Sequence, residues 1–295
     1  MRKKDNKERK SPQGKPYSEV EHIVNSREQY LFSKEWKPDG NPSALLFICH
    51  GVAEHCLRYD DIAKRYNDLG ILVFAHDHIG HGQSEGDRVH LTDFMHYVED
   101  VIQHVTEKQK LYPDIPVFIY GHSMGGAITI RAMMEKPTLF RGAVLSGPAV
   151  IPSPETATTT RVFIARILGR IYPQCPIGKL DDSFICRDKE VIKSYQNDPL
   201  VYHGYMKAKW GLCTLSCLQY IQAHLNTIEW PFLILHGDED KLCSLEGSQV
   251  LYDRAASTDK TIKVYKGAYH QLHHEPEGVG EQSVDEMVNW VKERM

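Results

Sequence analysis

Short, uninterrupted hydrophobic runs recur along the chain, each bounded by glycine or proline and separated from the next by a longer amphipathic stretch. A strand that is buried on both faces has this appearance, because helices cover both sides of a parallel sheet. The predicted buried strands are residues 44–49, 71–75, 116–120, 142–145 and 231–235. The run from Thr261 to Tyr265 alternates between polar and apolar residues, which is typical of a strand nearer the sheet edge.

Helical periodicity fills the intervals between these strands. Apolar residues recur every three or four positions from Leu91 to Val105 and again from Val284 to Val291. The stretch from Tyr59 to Leu69 ends at Gly70, which predicts a helix closed by a left-handed glycine. Alternating strands and helices predict an α/β fold with a mostly parallel central sheet and helices on both faces.

The pattern divides the chain into three parts. Residues 1–16 are rich in lysine and arginine without apolar periodicity, which predicts a flexible basic tail. Residues 17–150 and 226–295 carry the strands and helices of the α/β core. Residues 151–225 contain several prolines and helical patterns without a clear buried strand, and we predict a helical cap inserted between two core strands.

Composition and charge exclude several classes of protein. With 41% hydrophobic and 25% charged residues, the 295-residue chain has the balance of a soluble globular domain, and a net charge of −4 disfavours nucleic-acid binding. No apolar run reaches the roughly 18 residues of a membrane span, and the basic amino terminus lacks the apolar segment of a secretory signal. Seven cysteines without a C-x-x-C pair indicate free thiols in a reducing cytosol.

The sequence contains two G-x-S-x-G patterns, centred on Ser84 and Ser123. A nucleophilic serine of this type needs a strand before it, a sharp turn of small residues and a helix after it. The predicted strand 116–120 precedes Ser123 and a helical pattern follows it, whereas charged residues follow Ser84. We therefore interpret Ser123 as the nucleophile and Ser84 as a loop residue.

A serine nucleophile needs a histidine base and a carboxylate that orients the base, in the chain order serine, acid, histidine. Two loops after later strands offer such residues, and each loop contains alternatives. The acid candidates are Asp238, Glu239 and Asp240, and the base candidates are His270, His273 and His274. Spacing alone does not choose among them.

A series of spaced motifs resembles the monoacylglycerol lipase branch of the α/β-hydrolases from about Tyr17 to the carboxyl end. In chain order the motifs are His50-Gly51, the run from His76 to Gly86, the run from Gly121 to Gly126, the run from Gly237 to Asp240 and the run from Gly267 to His270. The resemblance implies an α/β-hydrolase fold with a helical cap and a catalytic triad of Ser123, Asp240 and His270. It also implies that the backbone N–H groups of Val52 and Met124 form the oxyanion hole.

The resemblance implies hydrolysis of monoacylglycerols to fatty acid and glycerol through an acyl-enzyme, without a metal or organic cofactor. Five polar residues in or near the motifs are expected to bind the glycerol head group: Glu54, Arg58, His122, Tyr195 and His273. The alternative for Glu54 and Arg58 is a surface ion pair with no part in recognition. Alternatives for the whole protein are a lysophospholipase or other acyl-ester hydrolase, and a catalytically silent binding module.

The cap carries an apolar helical face flanked by arginines. The apolar residues are Val162, Phe163, Ile164, Ile167, Leu168 and Ile171, and the basic ones are Arg161, Arg166 and Arg170. By resemblance this is a lid helix that contacts membrane and admits an acyl chain; the alternative is a helix packed on its own core. We expect a cytoplasmic, peripherally membrane-associated enzyme with a lipid substrate, and a homodimer is compatible with the sequence.

Overall fold

A computed structural model describes residues 8–152 and 167–295. Its main sheet has eight strands in the order β1-β2-β4-β3-β5-β6-β9-β10. The strands are β1 (His22–Val24), β2 (Tyr30–Trp36), β3 (Ala44–Cys49), β4 (Ile71–His76), β5 (Val117–His122), β6 (Gly142–Ser146), β9 (Phe232–Gly237) and β10 (Lys260–Tyr265). Strands β1 and β2 are antiparallel to their neighbours, and the other six run parallel. The carboxyl ends of those six strands therefore meet at one edge, where α/β proteins bind their ligands.

The described residues form the helices α1 (Asp60–Asn67), α2 (Met95–Leu111), α3 (Met124–Glu135), α4 (Lys189–Asn197), α5 (Ala208–Ala223), α6 (Leu245–Arg254) and α7 (Val279–Lys292). Helices α1, α2, α3, α6 and α7 cover the two faces of this sheet. Strand β3 shows why the sheet needs both layers. Its residues Leu45, Phe47 and Cys49 pack into the core beneath α2 and α3, while Ala44, Leu46 and Ile48 pack into the core beneath α1 and α7.

The structure confirms the predicted α/β-hydrolase architecture. All six predicted strands form within about two residues of their expected bounds, and β10 lies at the sheet edge as its alternation predicts. Gly70 closes the segment after α1 with φ 76°. Strands β1 and β2 were not predicted, because β1 has three residues and β2 includes Ser33, Lys34 and Glu35, which hide its pattern.

Residues 8–16 contact the domain, although the sequence predicts them to be part of a flexible tail. Ser11 is buried, the Gln13 side chain donates a hydrogen bond to the Gly82 carbonyl, and Arg9 pairs with Glu85 at 3.3 Å. Because the segment has specific partners on the 76–86 loop, its polarity does not leave it free in solvent. Residues 1–7 of the predicted tail lie outside the described residues.

The stretch between β6 and β9 contains α4 and α5 and a small antiparallel pair, β7 (Pro176–Gly178) and β8 (Met206–Lys207). Most of the predicted lid face, from Arg161 to Arg166, lies outside the described residues. Residues 167–171 are helical, and the Ile171 side chain is 78% exposed. Among the helices of the described ranges, none has the length and apolarity to cross a membrane.

Candidate active site

Ser123 occupies a strained turn between a buried strand and a buried helix. It follows β5 directly, precedes the first residue of α3, and has φ 57° and ψ −120°. A non-glycine residue with this backbone conformation is costly and is kept where the surrounding structure enforces it, often at functional sites. Gly125 permits the turn, since a Cβ atom there would lie 2.1 Å from the Cys49 carbonyl oxygen.

Ser84, in the second G-x-S-x-G pattern, has a different environment. Its hydroxyl donates a 2.5 Å hydrogen bond to the Asp77 carbonyl and accepts one of 2.9 Å from the Phe32 N–H. The residue is fully buried in a loop, and no helix follows it. Both hydrogen-bonding capacities of this serine therefore stabilise the loop, as expected for a structural residue.

Asp240 and His270 meet at the carboxyl ends of β9 and β10. His270 Nδ1 lies 2.7 Å from Asp240 Oδ2, and the Asp240 side chain has no exposed surface. Asp238 and Glu239 are exposed, and Asp238 Oδ1 accepts a hydrogen bond from the Gly267 N–H instead. Within the described contacts, Asp240 is thus the carboxylate that contacts a histidine of the 267–274 loop.

The Asp240 carboxylate is held by a dense set of donors. Its Oδ1 accepts hydrogen bonds from the backbone N–H groups of Leu242 at 2.8 Å and Cys243 at 2.9 Å. Burial alone would raise the pKa of Asp240, but His270 and hydrogen bonds with His236 and His270 hold it well below its ordinary value. The group is therefore ionised and oriented toward His270 at neutral pH.

The loop after β6 brings Ser123 and the Asp240–His270 pair together. The Ser123 N–H donates to the Ser146 carbonyl at 3.1 Å. A Cβ atom on the next residue, Gly147, would lie 3.2 Å from both Asp240 Oδ2 and His270 Nδ1. On the other side, the Cys243 thiol lies 3.8 Å from the Ser123 hydroxyl. The three loops thus form one compact site at the predicted sheet edge.

The turn after β3 lies against the same serine. A Cβ atom on Gly51 would lie 3.3 Å from Ser123 Cβ, so the next residue, Val52, follows directly beside the Ser123 turn. Met124 is the first residue of α3, and its N–H therefore has no partner inside the helix. Both predicted oxyanion donors, Val52 and Met124, flank Ser123, and the Val52 side chain packs against the core beneath α2 and α3.

Glu54 organises this turn from a buried position. Its Oε1 accepts hydrogen bonds from the Gly51 N–H at 2.5 Å and the Tyr59 hydroxyl at 2.6 Å, and its Oε2 accepts one from Gln271. Burial acts to raise the pKa of Glu54, but His122 and Arg58, with the Tyr59 hydroxyl, lower it to about 2. Arg58 Nε lies 3.8 Å from Glu54 Oε2, and the two side chains are only 9% and 3% exposed, so the pair does not lie on the surface. Its part in recognition stays a prediction.

The remaining predicted head-group residues connect to this pair. The His122 ring lies 4.5 Å from the His270 ring and 5.8 Å from the His273 ring. Burial and the neighbouring His270 lower the pKa of His122 to about 4. Tyr195, from α4, packs under the Arg58 guanidinium at 4.8 Å. The structure therefore brings all five predicted residues into one continuous cluster.

The sequence did not predict that several further residues would join this cluster. Asp198 follows α4, lies 2.9 Å from His55 Nε2 and contacts Arg58, and the Tyr202 N–H donates a 2.7 Å hydrogen bond to the Ala53 carbonyl. These contacts join the stretch between β6 and β9 to the turn after β3. Nothing in the sequence indicates them, because the partners are 140 or more residues apart. Gln271 could have been predicted from the sequence, because it directly follows His270 and so must lie near the same site.

Known proteins resemble this chain over most of its length. A family model described as serine aminopeptidase, S33 matches residues 40–277. Monoglyceride lipase of Rattus norvegicus is 44% identical over 287 residues, which cover 97% of this chain and 95% of that protein. The crystal structure of Paleococcus ferrophilus monoacylglycerol lipase superimposes with a TM-score of 0.80 at 31% identity, covering 90% of this chain and 99% of the other.

A soluble variant of the Saccharomyces cerevisiae monoglyceride lipase, in complex with a substrate analog, has the same fold. Its TM-score is 0.82 at 24% identity, with coverage of 94% of this chain and 96% of the other. The 44% identity to the Rattus norvegicus enzyme over almost the whole chain shows the family. This chain belongs to the monoglyceride lipase family of the α/β-hydrolases.

Proposed function

We propose that this protein is a serine hydrolase that cleaves monoacylglycerols into fatty acid and glycerol. The observation that carries the proposal is the strained Ser123 turn beside the buried Asp240–His270 pair. The similarity to enzymes named monoglyceride lipase and monoacylglycerol lipase supports the substrate class. In this proposal Ser123 is the nucleophile, His270 the base and Asp240 the residue that orients the base.

The reaction follows from these positions. Ser123 Oγ attacks the ester carbonyl carbon while His270 accepts the hydroxyl proton, and Asp240 holds the Nδ1–H form of the imidazole. The N–H groups of Val52 and Met124 stabilise the negative oxygen of the tetrahedral intermediate, and one such donor contributes about 3 kcal/mol in other serine hydrolases. His270 protonates the departing glycerol oxygen, and water then hydrolyses the acyl-enzyme by the same steps.

The polar cluster beside the triad supports a glycerol leaving group. His273 Nδ1 and Gln271 Oε1 are buried and have no hydrogen-bond partner among the described residues. Such groups are costly unless a ligand or water satisfies them. The free hydroxyls of a bound monoacylglycerol supply donors and acceptors at this position, and a triacylglycerol lacks both hydroxyls. We therefore place the glycerol head group among Glu54, Arg58, His122, Tyr195 and His273.

Two measurements test the function. A fluorophosphonate probe should label the purified protein, and monooleoylglycerol should be hydrolysed with a higher kcat/KM than lysophosphatidylcholine. The Ser123→Ala variant is the control for both reactions. Labelling with a preference for lysophosphatidylcholine would favour the lysophospholipase alternative, and absence of labelling would favour the silent binding module.

We further propose that the protein is cytoplasmic and contacts membranes peripherally through the segment between β6 and β9. Three apolar residues support this proposal where the described part of the chain resumes at residue 167. The exposed fractions of Ile167, Ile171 and Tyr172 are 41%, 78% and 61%. Exposed apolar groups of this kind are typical of surfaces that contact membranes. Sedimentation with phosphatidylcholine vesicles should recover the wild-type protein and less of the Ile171→Ser variant. The homodimer remains a prediction, which sedimentation equilibrium would test.

A further inference from the structure

We propose that His236 is a positioning residue for the proposed catalytic acid. It holds the Asp240 carboxylate in the orientation that faces His270. The inference rests on the function proposed above and adds a second histidine to its acid. His236 lies on β9, four residues before Asp240, and its side chain has no exposed surface.

Three contacts define the orientation of the His236 ring. Its Nε2 lies 3.2 Å from Asp240 Oδ2 and 3.1 Å from the Cys243 carbonyl oxygen. Its Nδ1 lies 2.7 Å from the Ser248 hydroxyl on α6. Because Nε2 faces two acceptors, it must carry a hydrogen, and Nδ1 can accept a hydrogen bond from Ser248. The Ser248 hydroxyl can donate to this unprotonated Nδ1 and so stabilises the ring form whose Nε2–H faces the Cys243 carbonyl and Asp240.

The position of these contacts explains their effect on the acid. Asp240 Oδ1 is fixed by the N–H groups of Leu242 and Cys243, and Oδ2 faces both His236 and His270. A carboxylate with donors on each oxygen cannot rotate without losing hydrogen bonds. Without His236, Oδ2 would keep His270 as its donor, and the buried oxygen has no solvent to replace the lost one. The geometry that orients His270 would then be less constrained.

The surroundings of His236 argue against a role in packing alone. Its strand neighbours Leu233, Ile234 and Leu235 are apolar and fully or almost fully buried, so a hydrophobic residue would suit the position. A buried imidazole is costly unless its nitrogens find partners. Two of its three partners belong to the 240–243 loop, and the third fixes the ring that faces this loop. The side chain is therefore built into the support of the acid.

The test compares variants that keep or remove the donor to Asp240. His236→Gln retains an amide donor and acceptor, whereas His236→Met fills the space without either. We expect His236→Met to lower kcat for monooleoylglycerol about tenfold, the effect of one lost charge-assisted hydrogen bond, with KM within about twofold of wild type. His236→Gln should recover most of this kcat. His104→Met is the matched control, because His104 is a buried histidine of α2 paired with His76.

Ser248→Ala tests the same idea without altering the imidazole, and it carries the test if His236→Met does not fold. It should lower kcat about threefold in the wild-type background and have no effect beside His236→Gln, because an amide has no alternative ring form. Equal kcat for His236→Gln and His236→Met, or a Ser248→Ala effect that is the same in both backgrounds, would overturn the proposal. Inactive wild-type protein would instead overturn the proposed function, so the two failures are distinguishable.

Discussion

Two serines of this chain lie in G-x-S-x-G patterns, but their hydroxyl groups have different surroundings. The Ser84 hydroxyl is bonded to Asp77 and Phe32, while Ser123 is displayed on a strained turn beside the Asp240–His270 pair. Ser123→Ala should abolish fluorophosphonate labelling and lower kcat/KM by about four orders of magnitude or more. Ser84→Ala should keep labelling and substantial activity with a lower Tm. Labelling retained in Ser123→Ala would contradict the assignment.

The proposed role of Asp240 can be tested by a substitution that replaces one carboxylate oxygen with an amide nitrogen. Asp240→Asn should lower kcat by roughly four orders of magnitude, because an amide no longer holds the Nδ1–H form of His270. Asp238→Asn is the matched control, since Asp238 is exposed and contacts the Gly267 backbone. Steady-state hydrolysis of monooleoylglycerol compares the two. If Asp238→Asn were the more damaging change, the acid would have been assigned to the wrong residue.

Cys243 predicts a form of inhibition by obstruction. Burial and the neighbouring Asp240 raise the pKa of its thiol, so it reacts slowly, but its sulfur lies 3.8 Å from the Ser123 hydroxyl. A maleimide on this atom should block acyl-chain access and inactivate the enzyme. Cys243→Ala should remain active and lose most of its sensitivity to maleimide. Cys175→Ala is the control, because this half-buried thiol lies in another part of the sequence, and it should keep the maleimide sensitivity of the wild type. Unchanged inhibition of Cys243→Ala would assign the effect to another cysteine.

At the scale of elements, the site is assembled where parallel strands end. Each of β3, β5, β6, β9 and β10 contributes the residues that follow its last position, and the shared direction of these strands makes their loops neighbours. Hydrophobic runs and motifs were sufficient to predict this arrangement, because a strand buried on both faces leaves a clear pattern. They were insufficient for the contacts of Asp198 and Tyr202 with the β3 turn, because long-range pairing of polar groups leaves no periodic trace.

The contact between α4 and the β3 turn leads to a prediction about head-group recognition. Tyr195 from α4 packs on Arg58, and His273 lies beside His122, so these side chains form the proposed glycerol subsite. Tyr195→Phe and His273→Ala should narrow the ratio of kcat/KM between monooleoylglycerol and methyl oleate, since the methyl ester has no hydroxyls to lose. A ratio that stays constant in both variants would show that this cluster does not recognise glycerol.

At the scale of the whole molecule, Glu54 links site geometry to acid stability. Its pKa is about 2 in the fold against an ordinary value of 4.5, so its contribution to stability is complete above about pH 4.5. That contribution is lost as the pH falls from about 4.5 toward 2, because the unfolded chain binds the proton first. The unfolding free energies of wild type and Glu54→Gln should therefore converge by up to about 1.4 kcal/mol per pH unit in this range. Urea titrations at pH 3 to 6 measure the difference, and a constant difference would contradict the prediction.

The main-chain hydrogen bond from Tyr202 to Ala53 has a consequence for divergence among relatives. It joins the stretch between β6 and β9 to the turn beside Ser123, and it uses no side-chain atom. Side chains of that stretch can therefore be substituted while this attachment survives. We therefore expect that exchanging residues 151–225 between relatives would change selectivity among acyl esters while the turn beside Ser123 keeps its place.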